Sequence, residues 1–330
     1  MNSKYVTIFA GFVLLGGFLF YFFSPTITQS SSFNVKANIQ PRHPGPNEEV
    51  MITLSGIGFD LKNSHYSWRK DGVEFFSGTG KRRISFETGE LAEKTLINIV
   101  INPPNREIFV KNITINPTQV DLLISSDSYT PPNYKGAALP TRGSTVTVTA
   151  IPHLTENGTR ITNNNLIFDW QINGQKIPER SGRGRSKLEI NNVSNNQRIG
   201  VTVTGPGGDL AAENRTVIEL HTPEINIYEV EPLLGPNYYK NLQDRWLPTE
   251  REFTLQIEPF YIPDRYLDTL RYFWQFDGSL VSNPSNQARK HNFVFQPETN
   301  INRPLTAGMM SRVSFQDVLT KTIILSPEQY

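Results

Sequence analysis

The sequence predicts an all-β molecule: three β-sandwiches in tandem behind one N-terminal transmembrane helix. Three observations predict it. An aromatic-x-Trp-x-x-[Asp/Asn]-Gly segment occurs three times, at residues 66–72, 168–174 and 272–278. Alternating or β-branched apolar runs flank each copy. One uncharged apolar stretch, residues 5–23, precedes them all.

The N-terminal stretch reads as an anchor. At ~1.5 Å rise per residue it approaches the ~30 Å of hydrocarbon that a helix must cross. Lys4 and the α-amino group precede it, and no charge follows until Lys36. Positive charge stays on the cytoplasmic side, so the N-terminus is expected inside and the rest of the chain outside the cell membrane, in a single pass. The rival reading is a cleaved signal peptide, with an apolar region of ~7–15 residues and a small-x-small site. Here the run is longer, Pro25 would follow a cut after Ser24, and Phe22 would occupy the third position before it. Residues 1–23 are thus the expected anchor. The polar, hydroxyl-rich residues 24–32 are a linker, because such side chains cannot bury a core.

The repeat organises everything beyond residue 32. Trp68, Trp170 and Trp274 lie about 100 residues apart, the size of one β-sandwich domain. An apolar run precedes each Trp, at residues 50–54, 146–150 and 253–257, and another closes each unit, at residues 109–115, 216–220 and 319–325. A proline follows each closing run: Pro117, Pro223 and Pro327. The units are therefore 33–117, 118–223 and 224–330. Period-two alternation marks half-buried antiparallel strands. Asp71-Gly72, Asn173-Gly174 and Asp277-Gly278 are type I′ hairpin signals, since both central residues of that turn need positive φ. The aromatic two residues before each Trp shares its strand face, so both are expected in the core. Asn102-Pro103-Pro104-Asn105 and Gly205-Pro206-Gly207-Gly208 fall at matching later turns.

The segments YSWRKDG, FDWQING and YFWQFDG resemble the Trp strand of bacterial immunoglobulin-like and PKD-type domains. The likeness covers one strand and turn per unit, and the full acidic turn of the PKD pattern is missing. It implies immunoglobulin-like sandwiches in an extracytoplasmic stalk or binding array.

Chemistry is sparse. Basic and acidic residues number 32 and 31, a net charge of +1, which argues against a general electrostatic grip on nucleic acid. Cysteine is absent, which excludes disulfides, thiol catalysis and cysteine-ligated metal. The five histidines lack the spacing of a helical zinc motif. No cofactor, small-molecule substrate or catalytic residue is expected. Two features stand out. Basic residues follow each Trp strand: Lys81, Arg82 and Arg83, then Arg183, Arg185 and Lys187, then Arg289-Lys290. A solvated hairpin edge that blocks edge pairing is the simpler account; a stripe that holds an anionic cell-surface polymer is the other. Secondly, Tyr134 and Tyr238 precede a Leu-Pro-Thr passage in units two and three. These loops are expected to pack each ring against the preceding sandwich, at the first and second junctions respectively.

The expected function is a membrane-anchored structural or adhesive rod at the cell envelope. The alternative is an extracytoplasmic subunit of an envelope assembly, such as a pilus or secretion machine, with envelope proteins as partners.

Overall fold

A computed structural model of the chain describes residues 35–56, 60–104, 106–294, 302–311 and 318–326. The expected anchor and linker lie outside the described residues. Among the described residues, no helix is long and apolar enough to cross a membrane.

The first seven strands are β1 (Val35–Gln40), β2 (Glu49–Gly56), β3 (His65–Lys70), β4 (Val73–Thr79), β5 (Arg83–Glu87), β6 (Thr95–Asn102) and β7 (Phe109–Ile115). They form two antiparallel sheets, β1-β2-β5 and β4-β3-β6-β7. Trp68 on β3 is fully buried between them, with Tyr66, Ile52 and Ile99.

The next group is β8 (Gln119–Ser126), β9 (Ser128–Tyr129), β10 (Val146–His153), β11 (Thr155–Glu156), β12 (Thr159–Arg160), β13 (Ile167–Ile172), β14 (Gln175–Lys176), β15 (Gly182–Arg183), β16 (Lys187–Ile190), β17 (Gln197–Thr204) and β18 (Ala211–Ile218). Sheets β16-β10-β8 and β14-β13-β17-β18 repeat the first arrangement. Trp170 takes the same core place.

The last group is β19 (Glu224–Glu231), β20 (Gly235–Asn241), β21 (Arg245–Trp246), β22 (Glu252–Phe260), β23 (Ile262–Pro263), β24 (Leu270–Phe276), β25 (Ser279–Ser285), β26 (Lys290–Val294), β27 (Arg303–Ser311) and β28 (Leu319–Leu325). Its sheets are β20-β19-β22-β26 and β21-β28-β27-β24-β25, around Trp274. In each group the Trp strand pairs its own hairpin partner on one side and a later strand on the other, while the first, second and fifth main strands form the opposite sheet. That is an immunoglobulin-like sandwich, three times in tandem.

The hairpins after the Trp strands turn as their residues require. Asp71, Asn173 and Asp277 have φ of 51°, 52° and 47°, and the following glycines 87°, 82° and 74°. The fourth tryptophan, Trp246, is buried in the third core with its ring edge-on to Phe253.

A second repeated feature closes each sandwich. A carbonyl in the passage before the second main strand accepts the N–H that follows the last strand: Pro44 from Thr118, Pro140 from His221 and Trp246 from Ser326. The Leu-Pro-Thr passages therefore sit within, or one residue from, a tie inside their own sandwich. In the first sandwich the proline-rich residues 41–46, which hold Pro44, do the same job.

Candidate functional site

The basic loops follow from how each indole is satisfied. A buried Trp N–H needs an acceptor. Trp68 Nε1 donates to the carbonyl of Lys81 at 2.9 Å, 13 residues on. Trp170 donates to Arg185, 15 residues on, and Trp274 to Ala288, 14 residues on, both at 2.8 Å. Here the chain crosses from the Trp sheet to the opposite one. The next carbonyl begins the ladder of the opposite sheet in the first two sandwiches, Arg82 O accepting from Leu54 N and Ser186 O from Ala150 N. The basic side chains of this crossover face solvent, which long cations tolerate well. The recurrence of basic residues therefore has a local structural cause.

Lys81, Arg82, Arg83, Arg183, Arg185 and Lys187 are all exposed. Lys81 Nζ lies 5.7 Å from the Phe76 ring centroid. Arg183 donates to Asn165 O at 3.4 Å, and Arg185 to Glu179 O. Arg185 and Lys187 border a small concavity with Arg180. The third sandwich departs from this pattern. Arg289 is turned inward onto Glu258 and onto Ile257 O, 3.2 Å away, so it does not extend an exposed stripe.

That ion pair belongs to the junction of the second and third sandwiches. Glu258 is fully buried. Besides Arg289 it accepts from Tyr238 Oη at 3.0 Å and from Gln256 Nε2. Burial, then the Glu258 charge, pushes the Tyr238 phenol up to about 12. Burial works against the Arg289 charge, and Glu258 more than reverses it. Arg289 also reaches Tyr129 Oη of the second sandwich at 3.4 Å.

Main-chain bonds cross the same junction. β9 pairs antiparallel with β23, matching Tyr129 to Ile262 and Ser128 to Pro263. Tyr261 N donates to Tyr129 O at 2.7 Å, and Asp264 N to Asp127 O at 3.3 Å. Arg265 reaches back to Gly143 O and, at 2.9 Å, to Asn192 Oδ1. An aromatic cluster of Tyr228, Phe260 and Tyr261 packs with Leu139 of the second sandwich and with Tyr238.

Tyr238 thus lies at the second junction, near the preceding sandwich. Tyr134 corrects the expectation. It meets the following sandwich, not the preceding one: its ring is edge-on to Phe260 at 5.3 Å, and its hydroxyl shares a 2.8 Å hydrogen bond with Tyr261. The reason is directional. β8 runs away from the preceding domain, so the loop that carries Tyr134 sits at the exit end, whereas Tyr238 lies on β20, which runs back along β19 toward the second sandwich. Both tyrosines converge on one junction. The residues that sequence reasoning missed there are Tyr129, Glu258, Tyr261 and Arg265. A signal existed: after Glu258 alternation gives way to the unbroken apolar run Pro259-Phe260-Tyr261-Ile262-Pro263, and all residues from Ile257 to Pro263 are buried, the mark of a segment covered on both faces.

The first junction is lighter. Thr118 donates through N to Pro44 O at 3.1 Å and through Oγ1 to Ala211 O at 2.5 Å. Beside it a 760 Å³ cleft opens between β1 and Glu213. Among the described residues, no group of three or more His, Asp or Glu side chains is placed to hold a metal.

No family model matches the sequence, and no curated protein matches it. Solved structures of tandem domain arrays are similar in part. Three N-terminal domains of the outer capsid protein Hoc of bacteriophage RB49 are 12% identical, with a TM-score of 0.27, over 90% of this chain and 100% of that one. The central fibronectin-III array of RIM-binding protein is 14% identical, with a TM-score of 0.33, over 89% of this chain and 96% of that one. Extracellular domains 3–5 of Drosophila OTK are 11% identical, with a TM-score of 0.21, over 90% and 98%. The fold assignment rests on the strand order and register of the chain itself.

Proposed function

We propose that the chain is a non-enzymatic structural or adhesive protein, tethered by residues 5–23 to the cell membrane and carrying three immunoglobulin-like sandwiches outside it. The observation that carries this reading is the second junction. Strand pairing, an aromatic cluster and a buried ion pair tie two sandwiches together, which is what a spacer that must hold its reach requires. Independent catalytic or ligand-gated domains have no need of such a seam. The tether rests on the uncharged apolar run and the charge asymmetry around it. Unit boundaries near residues 117 and 223 follow from the closing strands and the prolines after them.

External protease on intact cells, with the outer layer permeabilised where one exists, tests the placement. Epitopes beyond residue 32 should be lost, and the mature chain should retain residues 5–23. A mature N-terminus near Thr28 would overturn the tether. Purification from detergent should yield the chain alone; a stoichiometric envelope partner would favour an assembly subunit instead.

A further inference from the structure

The outward face of the second sandwich carries a hollow that the spacer role does not use. β13, β17 and β18 lie side by side, with Gln171 opposite Gly200 and Gly200 opposite Arg215. Gly200 is mid-strand and its φ is not positive, so the backbone does not demand glycine. A strand glycine of this kind often marks close approach by something else. The third sandwich offers a contrast. Its mid-strand Gly308 lies under the Phe273 ring, which a Cβ there would meet at 2.0 Å. A Cβ at Gly200 would meet only Arg215 Cγ at 3.6 Å and Gln171 Cβ at 3.8 Å. The result is an open groove of 780 Å³.

Its lining is rich in fixed hydrogen-bond donors. Asn173 and Asn196 both border it. Each has its Oδ1 held by a backbone N–H, from Arg198 and Leu220, both at 2.9 Å. Pinning the oxygen fixes where each Nδ2 points. Arg198 and Arg215 add two guanidinium groups. Among the described residues, neither has a carboxylate within 4.0 Å.

We propose that this groove binds an acidic polysaccharide, one whose carboxylates are spaced along an otherwise neutral, hydroxyl-rich chain. Carboxylates match the two guanidinium forks. Sugar hydroxyls accept from the asparagine amides. The lining holds no aromatic ring for nucleobases to stack on. The floor is sheet face, where main-chain groups are already paired, so a peptide could not add as a strand. Asp169 and Glu213 stand in the next row of the same face, flanking Thr202. They disfavour a densely charged polyanion and leave room for a sparsely charged one.

The test uses the full chain in detergent on an array of hyaluronan, pectin and alginate fragments, neutral oligosaccharides, heparin and single-stranded DNA. Retention is expected on hyaluronan-like fragments, with carboxylates on alternate sugars, and should fall when those carboxylates are reduced. Arg215→Gln should weaken it by about tenfold or more. Gly200→Thr fills the floor with a better strand former and no close contact, so it should abolish retention without lowering the melting temperature. Retention equal in wild type and Gly200→Thr, preference for heparin or DNA, or no retention on any acidic glycan would each overturn the proposal. None of these outcomes bears on the tether or the spacer role.

Discussion

Each sandwich is organised around one indole. The three Trp side chains are fully buried and each donates to a carbonyl on the crossover between sheets. Trp170→Ala should cost about 3–5 kcal/mol, through lost packing and the void left behind. Trp170→Phe keeps most of the volume but orphans the Arg185 carbonyl, and should cost about 1–3 kcal/mol. Chemical denaturation of both variants checks the order; a Trp170→Phe variant as stable as the wild type would mean the hydrogen bond contributes nothing, and equal losses would mean it outweighs the packing. Two imidazoles give the residue scale a pH dependence. Burial lowers His291, and burial followed by Arg42 lowers His43. Their folded pKa values lie under the unfolded ones, so below about 6.5 the unfolded chain takes up more protons. Their stabilising contribution is complete above that value and is lost as pH falls through the folded pKa. Replacing both with Gln should flatten the melting temperature between neutral and mildly acid pH.

At the scale of elements, the seam between β9 and β23 is sustained by side chains on either hand. Glu258 is buried and Arg289 is its cation. Removing one member of such a pair is worse than removing both, because a lone buried charge has no compensation. Arg289→Met should cost about 3 kcal/mol, and Arg289→Met with Glu258→Gln should recover part of that loss. Thermal melts of the two variants decide it. Tyr134→Phe removes one shared hydrogen bond while keeping the ring against Phe260, and should cost only about 1 kcal/mol.

For the molecule as a whole, the two junctions differ in kind. The second has strand pairing, an ion pair and an aromatic cluster; the first shows Thr118 and an adjoining cleft. Relative motion between domains is the default unless an interface is extensive. Spin labels on introduced cysteine pairs are clean here, because the chain has no cysteine of its own. Distance distributions across the second junction should be narrow, and those across the first broader. Tyr261→Pro, which removes the N–H donated to Tyr129 O and cannot adopt the φ of 58° held there, should broaden the second to resemble the first.

The strands, the Trp cores and the type I′ turns were legible in the sequence. They depend on neighbours along the chain: alternation at period two, and Asp-Gly or Asn-Gly pairs that tolerate positive φ. The triple Trp segment exposed the repeat for the same reason. What the tertiary structure alone decided is how the copies diverge. Tyr134 looked like a partner of the preceding sandwich, yet it meets the following one, because the direction of its first strand sets which end its loop occupies. Arg289 looked like its counterparts in the other crossovers, yet it turns onto Glu258, because a neighbouring sandwich covers that end of β22. No motif or spacing in the sequence singles out Gly200. Only the sheet register shows a hollow there, with Gln171 on one side and Arg215 on the other.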